Sequence, residues 1–349
     1  MSPTLSLTLH GTWLTLESDQ EAFLEYAAQH LAGWLASPTD RPDVRVRLHW
    51  NKDLMPALTH DSRYYRLGRR LLLSDNEIIQ PEMLALPGLQ LHSRLSTQGL
   101  AIDATFRAPS RRLKLGLGGH ADRERIYATL IYYLVYFPLL WHIERSRRWF
   151  PLHASAVAWP QGALILSGLG GVGKSTLTLA FLDDPAAHLL SENLILHDET
   201  WVYAFPEPIH LDARSRELLS HLNGRLQLTG QVYSHGRQSY QVPASARVQS
   251  AKPRLFCLLR QGKELSLRPV PTAEAVEIVL SSDTLAKEVN EYAQQAAALN
   301  LLSPQAGQLE RRVKALQKLL QGVTCYELTV RPGDPLERAT AAVRGRLGW

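Results

Sequence analysis

The run LILSGLGGVGKST at residues 164–176 limits what this chain can fold into more than any other stretch. It reads as a short apolar strand, a glycine-rich turn and the start of a helix carrying Leu177, Leu179 and Phe181. Gly168, Gly173, Lys174 and Ser175 satisfy the G-x-x-x-x-G-K-[ST] pattern of a P-loop, or Walker A segment. Glycines let successive backbone N–H groups point inward at a helix N-terminus, which makes a nest for anions. Gly168, Leu169, Gly170, Gly171, Val172, Gly173, Lys174, Ser175 and Thr176 together form the candidate phosphate cradle. Lys174 would reach the β- and γ-phosphates of a nucleotide such as ATP, and the Ser175 hydroxyl would ligate Mg²⁺. A structural glycine turn without a ligand is the plainer alternative.

The rest of the composition bounds the class. At 349 residues the chain has room for two or three domains. A hydrophobic share of 45% with 20% charged residues is that of an ordinary globular protein. Cys257 and Cys325, the two cysteines, each lie in an apolar run, so buried free thiols are expected rather than a disulfide or metal pair. That suits a reducing, cytoplasmic setting, and the first residues show no basic-then-apolar signal pattern. The net charge is +5, with Arg107, Arg111, Arg112, Lys114, Arg123, Arg125, Arg145, Arg147 and Arg148 clustered. We read the cluster as a solvated face around one long helix; no nucleic-acid module accompanies it, so nucleic acid is not the expected partner. The apolar run at 128–143 is short of the ~20 residues a spanning helix needs. Pro138 interrupts it, so a buried helix kinked there is expected and no transmembrane segment.

Period-2 and helical patterning divide the chain into an α+β accessory domain (1–120), a linking helix (121–148) and a nucleotide-binding domain with C-terminal helices (149–349). In the first, a strand runs from Leu5 past Gly11 to Leu16, and Ser18 with Glu21 forms a capping box for a helix bearing Phe23, Tyr26 and Trp34. Strands follow at 44–50, 89–95, 100–106 and 113–117, with a hairpin at 65–72 and a loop at 116–119. His60, Asp61, Asp75, Asn76 and Glu77 read as solvated loop residues.

The second half opens Leu152-His153-Ala154-Ser155-Ala156-Val157, turns at Gln161-Gly162 and enters the strand that feeds the glycine turn. Further on, the triplet Ser191-Glu192-Asn193 interrupts an apolar run, with Glu192 lying 18 residues beyond Lys174. This order resembles the HPr kinase/phosphorylase superfamily, including the kinase-like proteins encoded beside ribosomally made peptides. Those proteins carry an H-A-S-A-V-like strand, a hairpin, a P-loop and then an acidic pair. The resemblance covers residues 150–260 well and the ends loosely. It implies an α/β core related to phosphoenolpyruvate carboxykinase, and the absence of an LSGGQ-like signature agrees.

By position, the resemblance places His153 near the transferred phosphoryl group, makes Glu192 the base for an acceptor hydroxyl, and makes Asn193 a metal ligand beside Ser175. The family pair is usually Asp-Asp; here the first acid is a methylene longer and the second is an amide. Asp212 and Arg214 match a family acid and arginine two residues apart, although Asp212 also reads as part of a helix N-cap region. Arg237, after His235-Gly236, matches a basic residue near the phosphates. His197-Asp198-Glu199 reads as solvated turn residues. The function implied is an ATP-dependent, Mg²⁺-using kinase acting on a hydroxyl of a peptide, a protein serine or a small molecule. A catalytically weak or inactive nucleotide-binding scaffold, and a plain ATPase or GTPase switch, remain alternatives. A homo-oligomer is compatible with the sequence.

Overall fold

The alternating N-terminal runs form strands that lie in one mixed sheet. A computed structural model of the chain describes residues 3–50, 63–68, 71–83, 85–107, 120–222, 224–233 and 237–347. The architecture is mixed α/β with several sheets. The described residues group into two compact units, one drawn from 1–147, 232–236 and 291–306, the other from 148–231, 237–290 and 307–349.

In the first unit β1 (Thr4–Leu9), β2 (Thr12–Ser18), β3 (Val44–Trp50), β4 (Tyr65–Arg66), β5 (Leu72–Leu73), β6 (Glu77–Gln80), β7 (Leu89–Ser96) and β8 (Gly99–Phe106) form a sheet in the order 1-2-3-8-7-6-5-4. The single strand expected across Gly11 is instead a hairpin. His10 (φ +50°) and Gly11 (φ +73°) both take the left-handed conformation that a two-residue hairpin turn demands. Ser18 ends β2 and accepts from the N–H of Gln20, which is the N-cap of the helix Glu21–His30. Glu77, expected in solvent, begins β6 and accepts from Tyr64 while pairing with His92 at 3.2 Å. His60, Asp61, Arg111, Arg112, Lys114, the strand at 113–117 and the loop at 116–119 lie outside the described residues.

The expected linking helix belongs to this first unit. It runs as His120–Ile131, a π-helical Tyr132–Tyr136 and Phe137–Arg147. Pro138 lacks an N–H, and the irregularity falls one turn earlier as a π stretch. Gln295 donates to the Tyr133 carbonyl at 3.1 Å, and Tyr292 donates to the buried Glu144 at 2.6 Å. The helix is long and apolar enough to span a membrane, yet its Leu130, Leu134, Tyr136, Phe137 and Leu140 are buried in the unit.

The second unit is built on β9 (Phe150–Leu152), β10 (Ala154–Trp159), β11 (Gly162–Ser167), β12 (His188–Ser191), β13 (Ile195–His197), β14 (Val202–Ala204), β15 (Ile209–Leu211), β16 (Gln227–Tyr233), β17 (Arg237–Gln241), β18 (Ser250–Ala251), β19 (Pro253–Gln261), β20 (Ser266–Pro269) and β21 (Thr324–Val330). Among the described residues they make sheets in the orders 12-10-11-19-21-20, 18-14-13-9 and 15-17-16. β11, β19 and β21 are parallel neighbours at the centre of the first of these. Their side chains alternate between two buried faces. Leu164, Leu166, Leu255 and Leu259 pack on one face with Leu177 and Leu179 of the helix Lys174–Ala180. Ile165, Phe256 and Leu258 pack on the other with Val276, Val279, Leu316 and Leu319 of the helices Thr272–Leu285 and Gln308–Leu320. At about 1.5–3 kcal/mol per buried aliphatic side chain, this two-faced core anchors both ends of the glycine loop.

Two adjacent segments cross between sheets. β9 pairs with β13, Leu152 opposite Ile195, while β10 pairs with β12, Ala156 opposite Ser191. His153 therefore sits at one crossing and Glu192 and Asn193 at the other.

Candidate functional site

The loop after β11 needs its glycines for two different reasons. Gly168 has φ +151°, and a Cβ there would lie 2.4 Å from the Leu259 carbonyl oxygen of β19. Gly171 (φ +78°) and Gly173 (φ +102°) hold the left-handed conformation but face open space, as does Gly170. One glycine thus lets the loop lie against the sheet, and the others leave a cradle that a ligand can enter. Gln261 steadies the loop by donating to the Gly171 carbonyl at 3.2 Å.

Lys174, the first helical residue, is only 6% exposed, and its Nζ donates to the carbonyls of Gly168 (2.9 Å) and Leu169 (3.1 Å). Burial lowers its pKa to about 8, opposed by the carboxylates of Glu192, Glu288 and Asp283. At pH 7 the group remains charged. Glu192 accepts a hydrogen bond from the Ser175 side chain; burial raises its carboxyl, and Glu288 adds to that, against the Ser175 bond, Lys174 and Arg237. Asn193 donates its amide nitrogen to Glu207 at 3.3 Å. His153 is held neutral at pH 7, since burial and then the Lys174 charge lower its pKa to about 4.

Asp283 completes the group, and no motif pointed to it. Its Oδ1 accepts from the backbone N–H of His153 at 3.3 Å. Burial raises its pKa to about 7, against that bond and the charges of Lys174 and Arg312. It lies at the end of the helix Thr272–Leu285, far from the glycine turn in sequence. One signal existed: Val276, Val279 and Asp283 share helical spacing, which puts a carboxylate on a buried stripe. Glu288 opens the helix Lys287–Leu302 and carried no such signal.

The remaining candidates divide. Arg237 is exposed, but its charge reaches Glu192, His210 and Asp212. His235 and Gly236 lie outside the described residues. Asp212 caps the helix Ala213–Leu218 by accepting from the Ser215 N–H at 2.7 Å, the alternative its sequence left open. Arg214 lines a cavity with Val172, Gly173 and Thr176. His197 is buried in β13, and Asp198 accepts from the N–H groups of Thr200 and Trp201 and from the Tyr203 hydroxyl. Asp198 therefore closes a turn rather than standing in solvent.

Chemically, the group combines a glycine loop with open space at Gly170, Gly171 and Gly173 before a helix, a buried ammonium, two carboxyls of raised pKa and a neutral imidazole. Among the described residues no cluster of three or more His, Cys, Asp or Glu could cage a metal. The Ser175–Glu192 oxygen pair still fits Mg²⁺, which favours one or two protein ligands with phosphate and water completing its shell.

No protein-family model matches the chain, and no curated protein does. Among solved structures, the HPr(Ser) kinase/phosphatase from Coxiella burnetii is similar over 57% of this chain and 97% of that one, at 12% identity and a TM-score of 0.27. A likeness at that level fixes neither the fold nor the activity of this chain.

Proposed function

We propose that the chain is an ATP-dependent phosphotransferase that moves the γ-phosphoryl group to a hydroxyl, as its sequence resemblance to the HPr kinase/phosphorylase superfamily implies. The observation that carries this reading is the meeting of Lys174, the Ser175–Glu192 pair and Asp283 at the mouth of an open glycine nest. Backbone N–H groups and Lys174 neutralise phosphate charge. Mg²⁺, held by Ser175 and Glu192, would add charge stabilisation there.

The two carboxyls divide the remaining work. Glu192 is engaged by Ser175. Asp283 has a pKa of about 7, near the operating pH where a general base is most effective. Asp283 takes the proton of the acceptor hydroxyl, the acceptor oxygen bonds to the γ-phosphorus, and the bond from that phosphorus to the bridging oxygen breaks to release ADP. Neutral His153 presents a ring that adds no charge to this step. The acceptor is a peptide or protein serine or a small-molecule alcohol, and the reaction takes place in the cytoplasm.

The test is transfer of label from [γ-³²P]ATP to candidate peptides and alcohols, with hydrolysis to water measured alongside. Lys174→Ala should abolish both. Asp283→Asn should keep ATP binding and lose turnover, whereas Glu192→Gln should lose the Mg²⁺ dependence of binding. Full turnover by Asp283→Asn together with a dead Glu192→Gln would return the base to Glu192. The second reading, a nucleotide-binding scaffold without turnover, draws on Lys174 bonding its own loop carbonyls and Asn193 bonding Glu207. Tight nucleotide binding with no turnover on any acceptor or on water would favour it.

A further inference from the structure

Beside the glycine loop, on the side away from the Lys174 cluster, lies a cavity of about 200 Å³. Its floor is apolar, formed by Leu177, Leu259, Leu265 and Ala339, and Arg214, Arg331 and Arg338 rim it. We propose that this cavity receives the heteroaromatic base of the nucleotide whose phosphates occupy the glycine loop; the proposal rests on the phosphotransferase reading.

Direction comes from the helix. Successive helical residues turn by roughly 100°, so Thr176 points about 200° away from Lys174. The γ-phosphate end belongs with the Lys174 ammonium, so the other end of the nucleotide must leave past Thr176. Thr176 lines the cavity, with its hydroxyl 3.4 Å from that of Ser215. The floor is also where a ligand is expected in a parallel sheet. Leu259 and Gln261 lie in the last three residues of β19, Val330 ends β21 and Arg331 follows it, so the cavity opens at the carboxyl ends of the strands.

Size and chemistry select the occupant. A volume of 200 Å³ falls below the roughly 300–1,000 Å³ of a site enclosing a whole drug-sized ligand, and suits one ring system. An apolar floor removes the faces of such a ring from water, and a guanidinium stacks on a π face in a way an ammonium does not. Arg338 is held by Asp334 at 3.6 Å. Arg214 lines the same cavity beside Gly333, where a Cβ would come 4.0 Å from its guanidinium.

The experiment compares ATP with inorganic tripolyphosphate, which has the phosphates and no base, by calorimetry on the full chain. Leu218, at the cavity wall and 42% exposed, can be changed without opening the core. Leu218→Glu and Ala339→Phe should each weaken ATP at least tenfold and change tripolyphosphate less than twofold. Lys174→Ala should weaken both ligands, and Arg338→Ala should weaken ATP alone. Thermal unfolding identifies a misfolded Ala339→Phe, in which case Leu218→Glu and Arg338→Ala decide. Unchanged ATP binding in those two, or equal loss of ATP and tripolyphosphate, overturns the base site and leaves the phosphate site standing. Wild-type protein that binds neither ligand overturns both.

Discussion

Two environments lie on either side of the helix Lys174–Ala180. On the Lys174 side, ionisable groups are enclosed together, and each is displaced from its ordinary behaviour: Lys174 and His153 downward, Glu192 and Asp283 upward. On the Thr176 side the wall is mostly aliphatic and its three arginines stand at the edge. Enclosed charges are unfavourable for folding, because desolvation of each is only partly returned by its neighbours. The apolar side carries no such penalty. The contrast separates the group that would do chemistry from the surface that would only hold.

The largest expected effect is on the element both sides share. Gly168→Ala drives a Cβ to 2.4 Å from the Leu259 carbonyl at φ +151°, and should lower stability by about 3 kcal/mol and remove binding on both sides. Gly170→Ala, with open space around it, should stay within about 0.5 kcal/mol in urea denaturation. Equal behaviour of the two variants would mean that the loop does not lie against β19 as described.

On the charged side alone, Asp283→Asn should reduce turnover by about 10²–10⁴, the usual worth of a positioned base. Wild-type turnover should rise with pH through about 7, where the Asp283 carboxyl loses its proton. Stability should move the opposite way. An acid raised above its unfolded value stabilises the fold below about pH 4, and that contribution disappears as pH passes about 7. Asp283 therefore subtracts stability as pH rises from about 4 to 7, and Asp283→Asn should remove that component, so that its stability in urea melts rises more with pH over this range than that of wild type. A variant with the wild-type slope would remove Asp283 from the group.

A smaller effect comes from the imidazoles. His153 and His210 each have a pKa lowered to about 4, chiefly by burial. Each favours the fold while neutral, so stability should fall as pH drops from about 6.5 toward 4. The size is on the order of 3 kcal/mol per histidine. His153→Gln and His210→Gln should each remove one part of that decline. If only His210→Gln did so, His153 would be more solvated than its place at the sheet crossing implies.

How much of this was legible in the chain follows the range of the interactions involved. The glycine turn and its flanking apolar strand and helix were readable because each depends on neighbours within a few residues. His153 and Glu192 were visible through a resemblance of order and spacing. Their environment was not, because it depends on two segments changing sheets side by side. The hairpin at His10-Gly11 was missed although the apolar alternation changes from odd to even positions between Leu9 and Leu14, a phase shift that marks the turn. Asp283 left only the faint mark of a carboxylate on a buried stripe.

By itself, then, the sequence determined a glycine turn between an apolar strand and a helix start at 168–176, since that arrangement needs only local glycines and local apolar patterning. The tertiary structure alone decided which carboxyls face Lys174, that Glu192 meets Ser175, and that the far side of the helix opens on an apolar cavity. Those facts arise from contacts between segments distant in the chain. Burial and electrostatic coupling depend on distances in space that spacing along the backbone does not encode.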